Sequence, residues 1–203
     1  MYIPIINQWS DHNEILEFIH RFSFGTLITS VHEVPTATHL PILVSDKDQT
    51  IILRSHFARA NHHWKDIENH PVLVIFQEPH AYISPKNYDN ALNVPTWNYL
   101  SVHCYGKGKI IHDEAETLSI IEKTIEKYEP EYKYQWKQLP EHYKSGMLKG
   151  IIAFKIHLNE IQAKKKLSQN KTYQERQKII HSLCERGDDQ GKTIAEYMQA
   201  LSK

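Results

Sequence analysis

The chain has 203 residues, 24 basic and 24 acidic, so its formal net charge is zero with histidine neutral. That length is enough for one sizeable core, and a balanced charge excludes a whole-molecule field drawing in DNA or an acidic membrane, so any nucleic-acid contact would need a local basic patch. Cys104 and Cys184 stand far apart without a CxxC spacing, which gives no disulfide framework and no cysteine metal site and fits a reducing cytosol. MYIPIINQWSDHNE has no basic-then-apolar leader, and no apolar run reaches the ~18 residues of a membrane span; a soluble, cytoplasmic protein with no membrane partner and no metal is expected.

After an extended start, DHNEILEFIHRF predicts a helix. Asp11 lies three residues before Glu14, a capping arrangement, and Ile15, Phe18, Ile19 and Phe22 share one helical face. FGTLITSV and THLPILV predict strands around a turn at residues 32–35, SDKDQT a polar turn, and IILRSH a third strand. Pro41 removes a ladder donor from the second strand, so it should mark an edge or a bulge, and bulges re-aim side chains near sites. His39 is therefore a candidate contact, with an exposed or structural histidine as the alternative.

FARANHHWKDIENHP predicts a turn-rich stretch. Arg54 and Ser55 at a strand end, followed by Arg59 and Asn61 near a helix start, offer guanidinium forks and backbone amides that suit a phosphate; solvated loop arginines are the alternative. Residues 72–77 and 96–105 read as strands flanking a long loop with Pro79, Pro85 and Pro95. Loops of that length on a rigid scaffold are where binding groups collect. Phe76, His80, Tyr82, Ser84, Trp97, Tyr99 and His103 combine apolar surface with single polar tips, either an aromatic core or the lining of a pocket for a flat heteroaromatic ligand.

Residues 107–111 predict a further strand and DEAETLSIIEKTIEKYE an amphipathic helix with Leu118, Ile121, Ile125 and Tyr128 on one side. PEYKYQWKQLPEHYKSG reads equally as loop, short helix or partner surface, and residues 151–158 as a strand. Lys164, Lys165 and Lys166 form a compact basic run, a solvated loop first and an anion contact second. Thr172 and Glu175 make a capping box, Ile179, Ile180 and Leu183 an apolar stripe, and Gly187 a stop. A second T-x-x-E at Thr193 and Glu196 predicts a last short helix with Ile194, Tyr197, Met198 and Leu201. The pair resembles a helix-turn-helix only in outline, because any αα-hairpin gives this pattern and the second helix has almost no basic side chains to meet phosphates.

THLP (38–41), HFARAN (56–61), VIFQEPHAYISP (74–85), VPTWNY (94–99), VHCYG (102–106) and KLSQN (166–170), in this order, resemble the PaiB-type family of FMN-binding negative transcriptional regulators of protease synthesis and sporulation. The resemblance implies an α+β, mainly β fold: an FMN-binding split β-barrel of the flavin-reductase and pyridoxamine-phosphate-oxidase type, with peripheral and C-terminal helices. It implies a barrel over residues 1–165 and a helical extension over 166–203 packed on the barrel or on a dimer partner. It further implies a homodimer with FMN at the subunit interface. His39, Leu40 and Pro41 would line the isoalloxazine side, Arg54, Ser55, His56, Arg59 and Asn61 the phosphate side, and Trp97, Asn98, Tyr99 and His103 would close the pocket, with Ser168, Gln169 and Asn170 from the partner chain. HHW after HFARAN departs from the family pattern, which leaves His62 and His63 without an assigned role.

Three functions compete. The first is an FMN-binding repressor sensing flavin or redox state, for which DNA contact has no support in the charge. The second is an FMN-dependent oxidoreductase acting on a small substrate, with His39 or His103 moving protons; no nucleophile or carboxylate constellation names a reaction. The third is haem binding, from the 14 histidines.

Overall fold

The computed structural model describes residues 1–47 and 50–201. In chain order the elements are α1 (His12–Arg21), β1 (Phe24–Val31), β2 (Val34–Pro41), β3 (Leu43–Lys47), β4 (Thr50–Ala58), β5 (Pro71–Phe76), β6 (His80–Ile83) and β7 (Thr96–Ile110). There follow α2 (Glu114–Tyr128), α3 (Tyr132–Gln138), α4 (Glu141–Lys149), β8 (Ile151–Lys166), α5 (Tyr173–Arg186) and α6 (Asp189–Ala200). The chain forms two compact units: unit 1 holds Met1–Ile15, Phe76–His103 and the chain from Gln162 onward, and unit 2 holds Leu16–Ile75 and Cys104–Ile161. β7 and β8 pass through both.

The strand order is β2-β1-β5-β7-β8-β4-β3, an open path with β6 added on β7, and every registered pair is antiparallel. In unit 2 the inner face is apolar: Leu27, Leu53, Phe57, Val74, Phe154 and Ile156 are fully buried. The β1–β2 hairpin turns on two residues, His32 (φ 47) and Glu33 (φ 66), the left-handed pair a two-residue loop needs to match strand twist. Pro41 closes the edge strand β2 as expected. Ile42 leaves the ladder and donates its N–H to the Ser23 carbonyl at 2.8 Å. Gly106 in β7 is fixed by close approach, since a Cβ there would lie 2.3 Å from the His157 carbonyl oxygen of β8.

Several expectations hold in detail. Asp11 accepts the Glu14 N–H at 2.9 Å, Thr172 and Glu175 form the reciprocal capping box, and Gly187 ends α5 at φ 76. Others shift. The long aromatic loop contains β6, which pairs Tyr82 with Trp97 and His80 with Tyr99. The α2 face is displaced: Thr117 and Ile120 are buried while Tyr128 is 51% exposed, because Ile120 packs with Ile111, Ala153 and Leu43 and the tyrosine hydroxyl instead meets Ser23 Oγ at 2.6 Å. α6 starts at Asp189, capped by Asp188 accepting the Gly191 N–H; Thr193 lies inside it, donating to the Asp189 carbonyl. Residues 164–166 end β8 rather than forming a loop. The tip of the polar turn over 45–50, Asp48 and Gln49, lies outside the described residues.

Candidate functional site

In unit 2 the candidates sit at the end of β2, on β4 and in the turn after it. Strand alternation sends Ser55 to the buried inner side with Leu53 and Phe57, and Arg54 and His56 to the half-buried outer side. Cross-strand pairing sets Arg54 opposite Lys155 and His56 opposite Ala153. Lys155 is ion-paired with Glu116 of α2 at 3.1 Å. The Ser55 hydroxyl donates to the Pro41 carbonyl at 2.6 Å, so it holds the β2 edge. Arg54 donates one N–H to Ser45 Oγ at 2.5 Å, which leaves most of its five donors available. His56 has no hydrogen-bond partner among the described residues, and burial lowers its pKa. Leu40 is buried, while His39 is exposed, bonded to Thr26 Oγ1 at 3.0 Å and stacked 6.5 Å from Phe24.

Arg59 and Asn61 are bound into the scaffold. The Arg59 guanidinium donates to the carbonyls of Lys149 (2.5 Å) and Ile151 (3.1 Å), tying the end of α4 down beside a cavity of about 280 Å³. Asn61 accepts the His63 N–H at 3.1 Å and donates to Thr38 Oγ1 at 3.2 Å. His63 is 4% exposed, its ring nitrogens lying 2.9 Å from Thr29 Oγ1 and 2.8 Å from Thr38 Oγ1, with the Phe57 ring 5.7 Å away. Burial lowers its pKa against the opposing pull of Asp66. The histidine left without a role thus anchors the turn to the β1–β2 hairpin.

Unit 1 gathers the remaining candidates. Trp97 meets Tyr82 edge-on at 6.0 Å and His80 at 5.6 Å, and Gln77, His80, Trp97 and Tyr99 line a cleft of about 300 Å³. The Lys164 ammonium lies 5.1 Å from the Tyr99 ring centre. His103 is half-buried; burial, then the positive N-terminus, keeps its pKa below the ordinary value. Asn98 is fully buried and accepts the Ser168 hydroxyl at 3.1 Å, a bond within one chain. Ser168 is itself buried at φ 59. Gln169 folds back on its own loop, accepting the Leu167 N–H and donating to the Lys165 carbonyl. Asn98, Ser168 and Asn170 line a cavity of about 380 Å³ with Lys166 and Lys171. Lys171 was not anticipated, since a single lysine after a motif carries no signal until the fold turns it inward.

The mainly antiparallel sheet, open along its strand order and flanked by helices, is of the split β-barrel class. Two solved structures share the fold. The FAD and heme binding protein from Mycobacterium smegmatis matches with TM-score 0.62 and 12% identity, covering 79% of this chain and 73% of that one. The flavocytochrome Anf3 from Azotobacter vinelandii matches with TM-score 0.59 and 16% identity over 76% of this chain and 67% of that one. Residues 1–160 match the family described as "Putative FMN-binding domain". The Bacillus subtilis (strain 168) "Protease synthase and sporulation protein PAI 2" is 40% identical over 204 residues, 98% of this chain and 97% of its own. The chain therefore belongs to this PaiB-type FMN-binding family, and FMN is the cofactor that membership assigns to it. No helix among the described residues is long and apolar enough to cross a membrane.

Proposed function

We propose that the chain is a cytoplasmic, homodimeric FMN-binding regulator that represses protease-synthesis and sporulation genes and responds to flavin or redox state. The relationship at 40% identity over 98% of the chain carries this reading. In unit 2, His39, Leu40 and Pro41 face the isoalloxazine side of the flavin, and Arg54 and His56 its phosphate side. Arg54 has the spare donors a dianion needs, and Ser55, Arg59 and Asn61 hold the frame around them. Unit 1, by itself, carries Trp97 and Tyr99 with Asn98 and His103, a set of aromatic faces and polar tips that suits a planar heteroaromatic group, and Ser168, Gln169 and Asn170 shape the adjoining loop. FMN supplies one- or two-electron chemistry when bound.

A second copy would cover apolar side chains now exposed: Phe24 (68%) and Val34 (64%) in unit 2, Ile5 and Leu92 (91% each) in unit 1. Lys192 is the one basic side chain of α6, so repression acts through a partner protein rather than through α6 in a DNA groove. A second reading, an FMN-dependent oxidoreductase, is favoured by the unpartnered His56 imidazole beside Arg54.

Titration of flavin-free protein with FMN, read by quenching of flavin fluorescence, tests the flavin step, and a pull-down of transcription proteins with and without FMN tests the regulatory one. Saturable binding that Arg54→Ala weakens about tenfold or more, with a flavin-dependent partner, is expected. NAD(P)H oxidation by the loaded protein, without such a partner, favours the enzyme.

A further inference from the structure

The cavity lined by Lys166 and Lys171 has a chemistry of its own. It lies within unit 1, holds about 380 Å³, and no acidic side chain lines it. The Lys166 ammonium donates to Thr96 Oγ1. That of Lys171 donates to Asn93 Oδ1 at 2.6 Å and sits 3.9 Å from the centre of the Tyr88 ring. Every hydrogen-bond partner of these two cations is neutral, and neither has a carboxylate within ion-pair distance among the described residues. The acid that the field of Lys171 does reach, Glu175, accepts the N–H groups of Asp89 and Thr172 and the Thr172 hydroxyl. The outlying Lys178 is paired with Asp89.

Behind the wall, Asn98 is 0% exposed; its amide nitrogen donates to the Met198 thioether at 3.5 Å and its Oδ1 accepts the Ser168 hydroxyl at 3.1 Å, which fixes the Ser168 turn. Asn7, 9% exposed, and Ser168, 5% exposed, add polar atoms to the same wall, and Pro4, Ile6 and Val94 close it with apolar surface. Two ammonium groups with spare donors, set among neutral polar side chains with no acid in the lining, are what charge-assisted recognition of a small anion requires.

We infer that this cavity is a binding site for a small polyanion bearing carboxylate or phosphate groups, held by Lys166 and Lys171. It goes beyond the flavin reading, with which the lining shares Asn98, Ser168 and Asn170, and the experiment below separates the two. The anion has two sources: a free small metabolite acting as an effector of the regulator, or the phosphate of a flavin. They share one chemistry and separate by competition.

The test is isothermal titration of the full-length, flavin-free protein with citrate and with inorganic phosphate at low ionic strength, repeated on the Lys166→Gln/Lys171→Gln double variant. The site predicts saturable one-to-one binding that weakens with added sodium chloride and falls about tenfold or more in the double variant. Asn93→Asp, which sets a carboxylate on Lys171, weakens it as well and serves if the double variant does not fold. FMN displacing citrate while riboflavin does not assigns the anion to the flavin phosphate; undiminished citrate binding to FMN-loaded protein assigns it to a separate effector. Absence of saturable binding by either anion, or equal affinity in the double variant and Asn93→Asp, overturns the site. Failure of FMN to bind while citrate binds sinks the flavin reading alone.

Discussion

In unit 2, His63 has both ring nitrogens and its backbone N–H bonded to Thr29, Thr38 and Asn61, and the cluster closes on itself. In unit 1, Asn98, Ser168, Lys166 and Lys171 use the same kinds of group, but the bonds run out before the donors do. A closed network of buried polar groups fixes a fold, because each partner removed leaves a desolvated atom behind. An open one retains capacity for a ligand. The same contrast divides the candidates on β4 and in the turn after it: Ser55, Arg59 and Asn61 are committed to the chain, whereas Arg54 and His56 are not.

The largest effect expected from this contrast is at His63. His63→Ala opens a cavity and strands two threonine hydroxyls, so urea unfolding should show a loss of about 3 kcal/mol or more. A loss below about 1 kcal/mol would mean that the network is not the anchor of its turn. Next, Arg54→Ala should weaken FMN about tenfold to a hundredfold and leave the urea midpoint nearly unchanged, since among the described residues its one hydrogen bond is to Ser45. A variant equal to wild type in FMN affinity would move the phosphate away from β4.

The pH dependence is smaller and has a definite sign. Burial leads the causes that hold His20, His56, His63 and His103 below the ordinary 6.5. Below 6.5 the unfolded chain therefore binds more protons than the folded one, and stability rises with pH across that window. Their contribution is complete above 6.5 and is lost as pH falls toward the lower folded values. Thermal midpoints should drop between pH 7 and about pH 5.5, less so in His63→Gln; midpoints constant over that range would contradict the buried neutral imidazole. The smallest effect on stability belongs to Lys166→Gln/Lys171→Gln, within about 1 kcal/mol of wild type, because these lysines serve the cavity and not the core.

What the residues revealed divides along the same line. Local signals carried well: the Asp11 cap, the Thr172 and Glu175 box, the Gly187 stop and the edge position of Pro41 each depend on neighbours a few residues away. Ordered motifs carried the family. The α2 face slipped because Ile121, Ile125 and Tyr128 look as apolar as Thr117 and Ile120, and only the position of Ile111 and Ala153 chooses between the stripes. His63 was illegible because its partners lie on the β1–β2 hairpin, 34 and 25 residues away. β6 was hidden in a proline-rich loop, since its four residues pair only with the far arm, β7. Lys171 and Asn98 come to line one cavity only once the end of β8 turns back on β7 at Ser168.

Binding of FMN by this member of the family is checked by the flavin fluorescence titration of flavin-free wild-type protein. Saturable quenching at one FMN per chain is expected, matched by a perturbed visible flavin spectrum and weakened by Arg54→Ala. Flavin fluorescence that follows simple dilution at every protein concentration would contradict it.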